Sequence, residues 1–241
     1  METYIHYKYI NNNNEITIVL LHGWGQNIQM MEPISKYYDK KYNILSVDLP
    51  GFGNSNDPKF VWTVYDYAEA INLLIKKLYI KKIFMIGHSF GGKIALIYAS
   101  KYDVYKLVCF ASPYCKNLEK ISYKTKFYKK IKKYKLLNPI SKIIENLIGS
   151  TDYKNANYIM RGILVNSINI NIIEDIKKIK CPTLLIWGSL DTAVPLYRAY
   201  ELKKLIKESE VIVYENKTHY AYLEDIKKTI KILDVFIEYE R

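Results

Sequence analysis

Short, continuous runs of apolar residues recur along this chain and alternate with longer stretches whose apolar residues fall at helical spacing. Runs of Val, Ile and Leu without polar alternation indicate strands buried on both faces, as in a parallel sheet. Strand–helix alternation of this kind predicts a doubly wound, mostly parallel α/β sheet with right-handed crossovers. The predicted strands are Ile16 to Leu21, Tyr42 to Val47, Ile83 to Ile86, Leu107 to Phe110, Thr183 to Trp187 and Val211 to Tyr214.

Three stretches between or after these runs predict helices. Thr63 to Leu78 has an apolar face, with Thr63 as the N-terminal cap. Phe90 to Ala99 is rich in small residues and could pack tightly on the sheet, and residues 222–237 have the pattern of an amphipathic C-terminal helix. The polar tract Asn11 to Asn14 indicates a hairpin turn between the first strands.

Residues 113–178 break the alternation, because they contain no strong strand and have a helical pattern throughout. Ligands of open α/β sheets bind at the carboxyl ends of the strands, and an insertion that leaves and re-enters there would roof the site. The sequence therefore predicts a core formed by residues 1–112 and 179–241, with residues 113–178 as a helical lid.

The strongest chemical motif is Gly87-His88-Ser89-Phe90-Gly91, which follows an apolar strand and opens a small-residue helix. That context is the one expected of a G-x-S-x-G nucleophile elbow. The two glycines would leave room for a sharp turn that projects the Ser89 hydroxyl above the sheet. A chance Gly-Ser turn is the competing interpretation.

A nucleophilic serine needs a base that is held by a third group, and this fold orders them as serine, acid, histidine. His219 follows the last predicted strand, and Asp191 lies in the turn after an earlier one. We therefore predict Ser89, Asp191 and His219 as a catalytic triad. Taken singly, Asp191 could be a helix N-cap over Thr192 to Leu196, and His219 a surface-loop histidine.

The oxyanion of an acyl-transfer reaction needs two backbone N–H donors. Phe90 is the first candidate, and Trp24, in the turn His22-Gly23-Trp24-Gly25, is the second. The Trp24 side chain would line the substrate pocket or pack against the lid. Further pocket candidates are His22, His88 and Tyr220, although His22 is better explained as a residue that fixes its turn.

The number and spacing of the cysteine and histidine residues argue against a disulfide-rich protein and against a metal-binding protein. Cys109, Cys115 and Cys181 are odd in number and irregularly spaced, which argues against a disulfide framework and favours a reducing cytoplasm. No metal-ligand spacing is visible, so we expect no metal and no cofactor. No apolar run is long enough to span a membrane, and the N-terminus lacks a signal-peptide pattern, so a cytoplasmic location is expected.

Taken together, these motifs resemble the α/β-hydrolase superfamily, in family order and over nearly the whole chain. Two of them, HGWG and DLPGFG, resemble pimeloyl-acyl-carrier-protein methyl ester esterases. The resemblance implies a serine carboxylesterase with Trp24 and Phe90 at the oxyanion. One departure is Lys217-Thr218, where the family commonly has small residues. The matching pieces are Leu21 to Gly25, Asp48 to Ser55, Gly87 to Gly92, Leu184 to Pro195 and Thr218 to Tyr220.

The formal net charge of +12 is unevenly distributed, because residues 113–178 alone carry +9. Lys116 to Lys135 holds nine Lys and one Glu. This stretch could dock an acidic acyl-carrier protein or an anionic membrane surface, or it could be a lid helix with its lysines in water. The charge also permits nucleic-acid binding, but no nucleic-acid motif accompanies it.

The function expected from the sequence is hydrolysis of a small acyl ester through an acyl-enzyme on Ser89. A thioesterase, a carbon–carbon bond hydrolase and an aminopeptidase of the same fold are alternatives. From another class comes a non-catalytic binding protein with a vestigial triad, although binding alone does not need all three side chains.

Overall fold

The predicted strands assemble into one seven-stranded sheet in the computed structural model, which describes residues 3–116 and 156–238. Each of the six predicted runs is a strand, with bounds that differ by no more than two residues, and one further strand precedes them. The strands are β1 (Tyr7–Ile10), β2 (Ile16–Leu21), β3 (Asn43–Val47), β4 (Lys82–His88), β5 (Lys106–Phe110), β6 (Thr183–Gly188) and β7 (Ser209–Tyr214).

The sheet has the order β1-β3-β2-β4-β5-β6-β7, and every neighbouring pair from β3 to β7 is parallel. Strand β1 pairs antiparallel with β3, and not with β2, which follows it in sequence. The predicted hairpin turn at Asn11 to Asn14 is therefore wrong. The tract instead anchors the loop before β3, where Asn12 Nδ2 donates to the carbonyls of Asp39 and Tyr42 at 2.6 and 2.7 Å.

Helices connect the parallel strands, as predicted for a doubly wound sheet. The described helices, apart from a short 3₁₀ helix at Ile28–Met31, are α1 (Glu32–Tyr38), α2 (Val64–Lys77), α3 (Phe90–Lys101), α4 (Tyr158–Asn169), α5 (Ile173–Ile176), α6 (Tyr197–Leu205), α7 (Ala221–Glu224) and α8 (Ile226–Glu238).

The helices cover both faces of the sheet, so the core is divided into two apolar layers. Alternate residues of one strand enter different layers: Val19 of β2 packs with α2 and α3, whereas Ile18 packs with α1 and α8. Both side chains are fully buried. Burial on both faces explains why the strands are continuous apolar runs.

One predicted helix is observed with its predicted N-terminal cap, and another is broken into two. Thr63 caps α2 as predicted, in a capping box in which its backbone N–H donates to the Asp66 carboxylate at 2.7 Å. The predicted helix over residues 222–237 is wrong as one unit, since it is broken at Asp225, where φ is −138° and ψ is 66°. Helices α7 and α8 lie on either side of this break.

The segment from 113 to 178 leaves the sheet after β5 and returns before β6. Its described part includes α4 and α5, and Ile172 N–H donates to Tyr114 O at 3.1 Å, which joins the two ends of the segment. Residues 117–155, including most of the lysine-rich stretch, lie outside the described residues, and the lid boundaries remain a prediction. Among the residues described, no helix has the length and apolar character needed to cross a membrane.

A buried lysine links α4 to α3. Lys93 lies on α3, one turn after Ser89, and is 1% exposed. Its Nζ donates to Ser167 O at 2.7 Å and to Ile170 O at 3.0 Å, at the C-terminal end of α4. Burial lowers the pKa of Lys93 to about 8, and a neutral amine still has the two N–H groups that these carbonyls require.

The lowered pKa makes the stability of the fold depend on pH in a stated direction. Between the folded pKa and the ordinary value near 10.5, the unfolded chain binds more protons than the folded chain. The free energy of unfolding should therefore rise over this range relative to Lys93→Met, by up to about 3 kcal/mol. Urea unfolding at pH 8, 9 and 10 measures the difference, and Lys101→Met, at the exposed end of the same helix, is the control. Parallel curves for wild type and Lys93→Met would contradict the prediction.

Candidate active site

Ser89 lies in a strained turn between β4 and α3. Its φ of 51° and ψ of −111° are rare for a residue with a Cβ. Its N–H donates to Phe110 O at 2.8 Å, and its carbonyl accepts from Lys93 N–H at 3.0 Å. A Cβ at Gly91 would lie 2.4 Å from the carbonyl oxygens of Leu21 and His22, so the helix approaches β2 this closely because the residue is glycine.

Asp191 and His219 are brought together at the carboxyl ends of β6 and β7. His219 Nδ1 lies 2.8 Å from Asp191 Oδ2, and the Asp191 side chain is fully buried. The other carboxylate oxygen accepts the N–H groups of Ala193 and Val194 at 2.7 and 2.8 Å. Asp191 therefore caps a turn with one oxygen and bonds His219 with the other, and the alternative of a helix N-cap over Thr192 to Leu196 is wrong because no helix lies there. Helix α6 begins only at Tyr197.

The loop that carries His219 is fastened to the loop that carries Asp191. Leu190 N–H donates to Lys217 O at 2.8 Å, and Asn216 N–H donates to Ser189 Oγ at 2.8 Å. A Cβ at Gly188 would lie 2.2 Å from Thr218 O, so the approach of the two loops requires glycine there. These contacts hold His219 beside Asp191.

Thr218, which departs from the small residues of the resembling family, has a local partner. Its backbone N–H donates to Glu224 Oε1 at 3.0 Å, and its hydroxyl binds the same oxygen. Glu224 on α7 thereby closes the loop around His219. Sequence reasoning missed Glu224, although its position six residues after Thr218 is a usable signal for such a contact.

The Ser89 side chain is half-buried, and within the described residues its hydroxyl makes no hydrogen bond. The His219 ring is 15% exposed by side chain and lies 4.8 Å from the ring of His88, the residue before Ser89. Catalytic hydrogen bonds are often long in unliganded sites and shorten when substrate binds. The arrangement leaves the hydroxyl available to an incoming carbonyl group.

Two backbone N–H groups, those of Trp24 and Phe90, have the properties of oxyanion donors. Neither donates a hydrogen bond to any residue in the described part of the chain. Phe90 is the first residue of α3, where the helix dipole favours negative charge. Their side chains pack edge to face, with ring centroids 5.2 Å apart. The Trp24 ring also packs on Phe52 at 4.8 Å, which fixes the turn.

His22 and His88 require a correction, because both are fully buried and do not line an open pocket. His22 Nε2 accepts Leu49 N–H at 3.0 Å, so Nδ1 carries the proton and donates to Gly23 O at 2.7 Å. Burial lowers the pKa of His22 to about 4 and, together with the nearby charge of His219, that of His88 to about 3. Both rings are neutral and fix the turns on which they lie. Tyr220 is 41% exposed and stays a pocket candidate.

No group of three or more His, Cys, Asp or Glu side chains within residues 3–116 and 156–238 could hold a metal ion. Two cavities, of about 450 and 580 Å³, lie away from Ser89. The first is formed by β6, β7 and α8, and the second by the N-terminal strand and α2.

Sequence reasoning also missed Gln26. Its Oε1 accepts Gly23 N–H at 2.9 Å and lies 3.3 Å from His88 Nδ1, and its Nε2 donates to Tyr220 OH at 3.3 Å. The signal available in the sequence is only a polar side chain that directly follows the glycine-rich turn. Its partners lie as many as 194 positions away in the sequence, so no local pattern predicts these contacts.

Gly188 lies where the loop of Asp191 contacts the loop of His219. A methyl group there must displace the backbone at Lys217 and Thr218, so Gly188→Ala should destabilise the fold and weaken the hydrogen bond between His219 and Asp191. The loss should be a few kcal/mol, as for other overpacked sites. Thermal unfolding and the NMR signal of the His219 Nδ1 proton measure it. Leu190→Ala, an exposed neighbour, is the control, and an unchanged proton signal in Gly188→Ala would refute the argument.

Comparisons with known proteins agree with this geometry. A family model of the alpha/beta hydrolase fold matches residues 16–113. The AB hydrolase superfamily protein YisY of Bacillus subtilis is 28% identical over 91% of this chain and 90% of its own length. A pimeloyl-[acyl-carrier protein] methyl ester esterase of Aliivibrio fischeri is 25% identical over 91% of this chain and 93% of its own.

Solved structures give the same fold. MGS-M2, an alpha/beta hydrolase enzyme from a deep-sea metagenome library of the Medee basin, superposes with a TM-score of 0.79 at 20% identity. The alignment covers 100% of this chain and 97% of that one. The sheet order, the turn at Ser89 and these likenesses agree with one another, and the chain has the α/β-hydrolase fold.

Proposed function

We propose that this protein is a serine hydrolase that cleaves a carboxylic ester through an acyl-enzyme on Ser89. The observation that carries the proposal is the 2.8 Å hydrogen bond between buried Asp191 and His219, at the sheet edge where Ser89 lies in its strained turn. The relative from A. fischeri, described as a methyl ester esterase, supports an ester as the substrate.

The geometry suggests a specific division of labour. Ser89 Oγ attacks the ester carbonyl carbon while His219 Nε2 takes the hydroxyl proton, because Nδ1 is engaged by Asp191. The N–H groups of Trp24 and Phe90 receive the carbonyl oxygen as it becomes negative. His219 then protonates the leaving alcohol, and a water molecule repeats the two steps on the acyl-enzyme.

Other readings of the same geometry predict different results. A thioesterase or a carbon–carbon bond hydrolase of this fold would use the same three side chains and differ only in the bond that it breaks. A non-catalytic binding protein would need neither the strain at Ser89 nor N–H donors directed at an oxyanion. A backbone strain of about 1–3 kcal/mol is hard to explain without a reaction that uses it.

The first experiment measures hydrolysis of p-nitrophenyl esters from acetate to decanoate. Wild type should turn over at least one of them, and Ser89→Ala should lose at least about 10⁴-fold in kcat because no nucleophile remains. Ser100→Ala, near the other end of α3, is the matched control and should keep full activity. Turnover that survives in Ser89→Ala would refute the assignment, and the preferred chain length would measure the acyl pocket.

A second candidate concerns the form in which the substrate arrives. We propose that the acyl group is carried by an acidic acyl-carrier protein that docks on the basic segment 113–178. Two observations favour this: the charge of +9 in that segment, and the carrier protein named in the description of the A. fischeri relative. The alternative remains a lid whose lysines are solvated.

Docking of a carrier protein should depend on salt, because the attraction between surface charges is screened. Affinity for an acyl-carrier protein should fall severalfold between about 20 and 300 mM NaCl, where the screening length shrinks well below 10 Å. The pair Lys129→Glu and Lys130→Glu should weaken binding, whereas Lys76→Glu and Lys77→Glu on α2 should not. An affinity that changes neither with salt nor with Lys129→Glu and Lys130→Glu would contradict the docking proposal and leave the esterase proposal intact.

A further inference from the structure

Gln26 is a half-buried side chain that contacts its own turn, His88 beside Ser89, and Tyr220 beside His219. Within its own turn it is bonded twice to Gly23: Gln26 N–H donates to Gly23 O at 3.3 Å, and Gln26 Oε1 accepts Gly23 N–H at 2.9 Å. The turn between them contains Trp24 and Gly25, and Gly25 has a φ of 70°, as the third residue of a type II turn does.

These two bonds determine which N–H of the turn can face a substrate. The N–H of Gly23 is consumed by Gln26, so it cannot serve an oxyanion. The N–H of Trp24 lies inside the closed turn and makes no hydrogen bond with the described residues. The side chain of Gln26 therefore removes Gly23 as a donor and holds the turn that carries the Trp24 N–H.

The same side chain reaches the loop of the base. Gln26 Nε2 donates to Tyr220 OH at 3.3 Å, and Tyr220 directly follows His219. The Tyr220 ring lies 5.5 Å from the His219 ring and 5.3 Å from the His88 ring. Gln26 thus ties the oxyanion turn to the residue next to the general base.

The third contact is with the elbow. Gln26 Oε1 lies 3.3 Å from His88 Nδ1, and His88 Nε2 lies 3.2 Å from His219 O. A neutral imidazole has one N–H, so His88 donates either to Gln26 or to the backbone of His219 at one time. The amide orientation of Gln26 is fixed by Gly23 N–H, because a flipped amide would set two donors against each other.

We propose that Gln26 is a positioning residue that holds the Trp24 N–H in register with Ser89 and His219, an inference that rests on the proposed esterase function. Its bonds join the turn of Trp24, the neighbour of Ser89 and the neighbour of His219. The oxyanion forms only during the reaction. A displaced donor therefore stabilises the transition state less and leaves the binding of the ester unchanged.

The test replaces Gln26 with Met, which keeps the length of the side chain and removes its hydrogen bonds. The kcat for a p-nitrophenyl ester should fall about tenfold, a fraction of the 10²–10³-fold loss seen when an oxyanion donor is removed. KM should stay within about twofold. Gln29→Met, at an exposed position three residues later, is the matched control and should behave as wild type.

Tyr220→Phe removes one bond of Gln26 at an exposed site, and it keeps the inference testable if Gln26→Met fails to fold. It should lower kcat severalfold, and the double variant should lose no more kcat than Gln26→Met alone, because both changes break one connection. Additive losses would contradict the coupling.

The outcomes separate the two proposals. If Ser89→Ala keeps its activity, the esterase assignment fails first. If Ser89→Ala is inactive and folded Gln26→Met retains the kcat of wild type, the positioning role alone is wrong. A folded Gln26→Met that raises KM severalfold with kcat unchanged also overturns it, since that result assigns Gln26 to substrate binding.

Discussion

Ser89 occupies a backbone conformation that residues with a side chain rarely adopt, and the rest of the site is arranged around it. A φ of 51° at a serine costs about 1–3 kcal/mol. The surrounding structure holds it there through Phe110 O at one end and Lys93 N–H at the other. The cost is met because β4 and α3 are both buried elements that the core fixes independently. A strained turn between two rigid elements leaves the hydroxyl little freedom to relax away from the sheet edge.

The parallel sheet explains why residues far apart in sequence converge at that turn. The carboxyl ends of β2, β4, β6 and β7 lie at one edge, and each strand delivers one part of the site. The register places Leu21 beside Gly87 and Gly188 beside Tyr214. The loops after these positions then lie close enough for bonds such as that from Leu190 N–H to Lys217 O. The backbone bonds between loops, and not the triad alone, set the distances between acid and base.

Much of the fold could be predicted because its signals are local. Buried parallel strands are continuous apolar runs, and Thr63 carries its own capping partner, Asp66, three residues later. The pairing of β1 with β3 could not be predicted, because a polar tract such as Asn11 to Asn14 fits a tight turn and a longer connection equally well. The break at Asp225 was hidden for a similar reason, since the apolar positions on either side keep helical spacing.

The site divides in the same way. The approach of Asp191 and His219 could be predicted, because each follows a parallel strand whose carboxyl end lies at the same edge of the sheet. Gln26 could not, because its role depends on Tyr220, which lies 194 positions away. His22 and His88 were assigned to the pocket on sequence proximity, whereas burial keeps both rings neutral and inside the turns. Proximity in sequence shows which loop a residue belongs to, and only packing decides which way its side chain faces.

Neutral rings beneath the site have a consequence for the chemistry. Because His22 and His88 carry no charge, neither of them places a buried cation beside the His219 ring, and the Asp191 carboxylate lies 2.8 Å from that ring. The elbow, the turn of Trp24 and the loop of Asp191 are fixed by the core, and in the proposed function they carry the groups that react. Chains that share this core can therefore catalyse different reactions, because a function depends on the residues placed at the site and not on the fold alone.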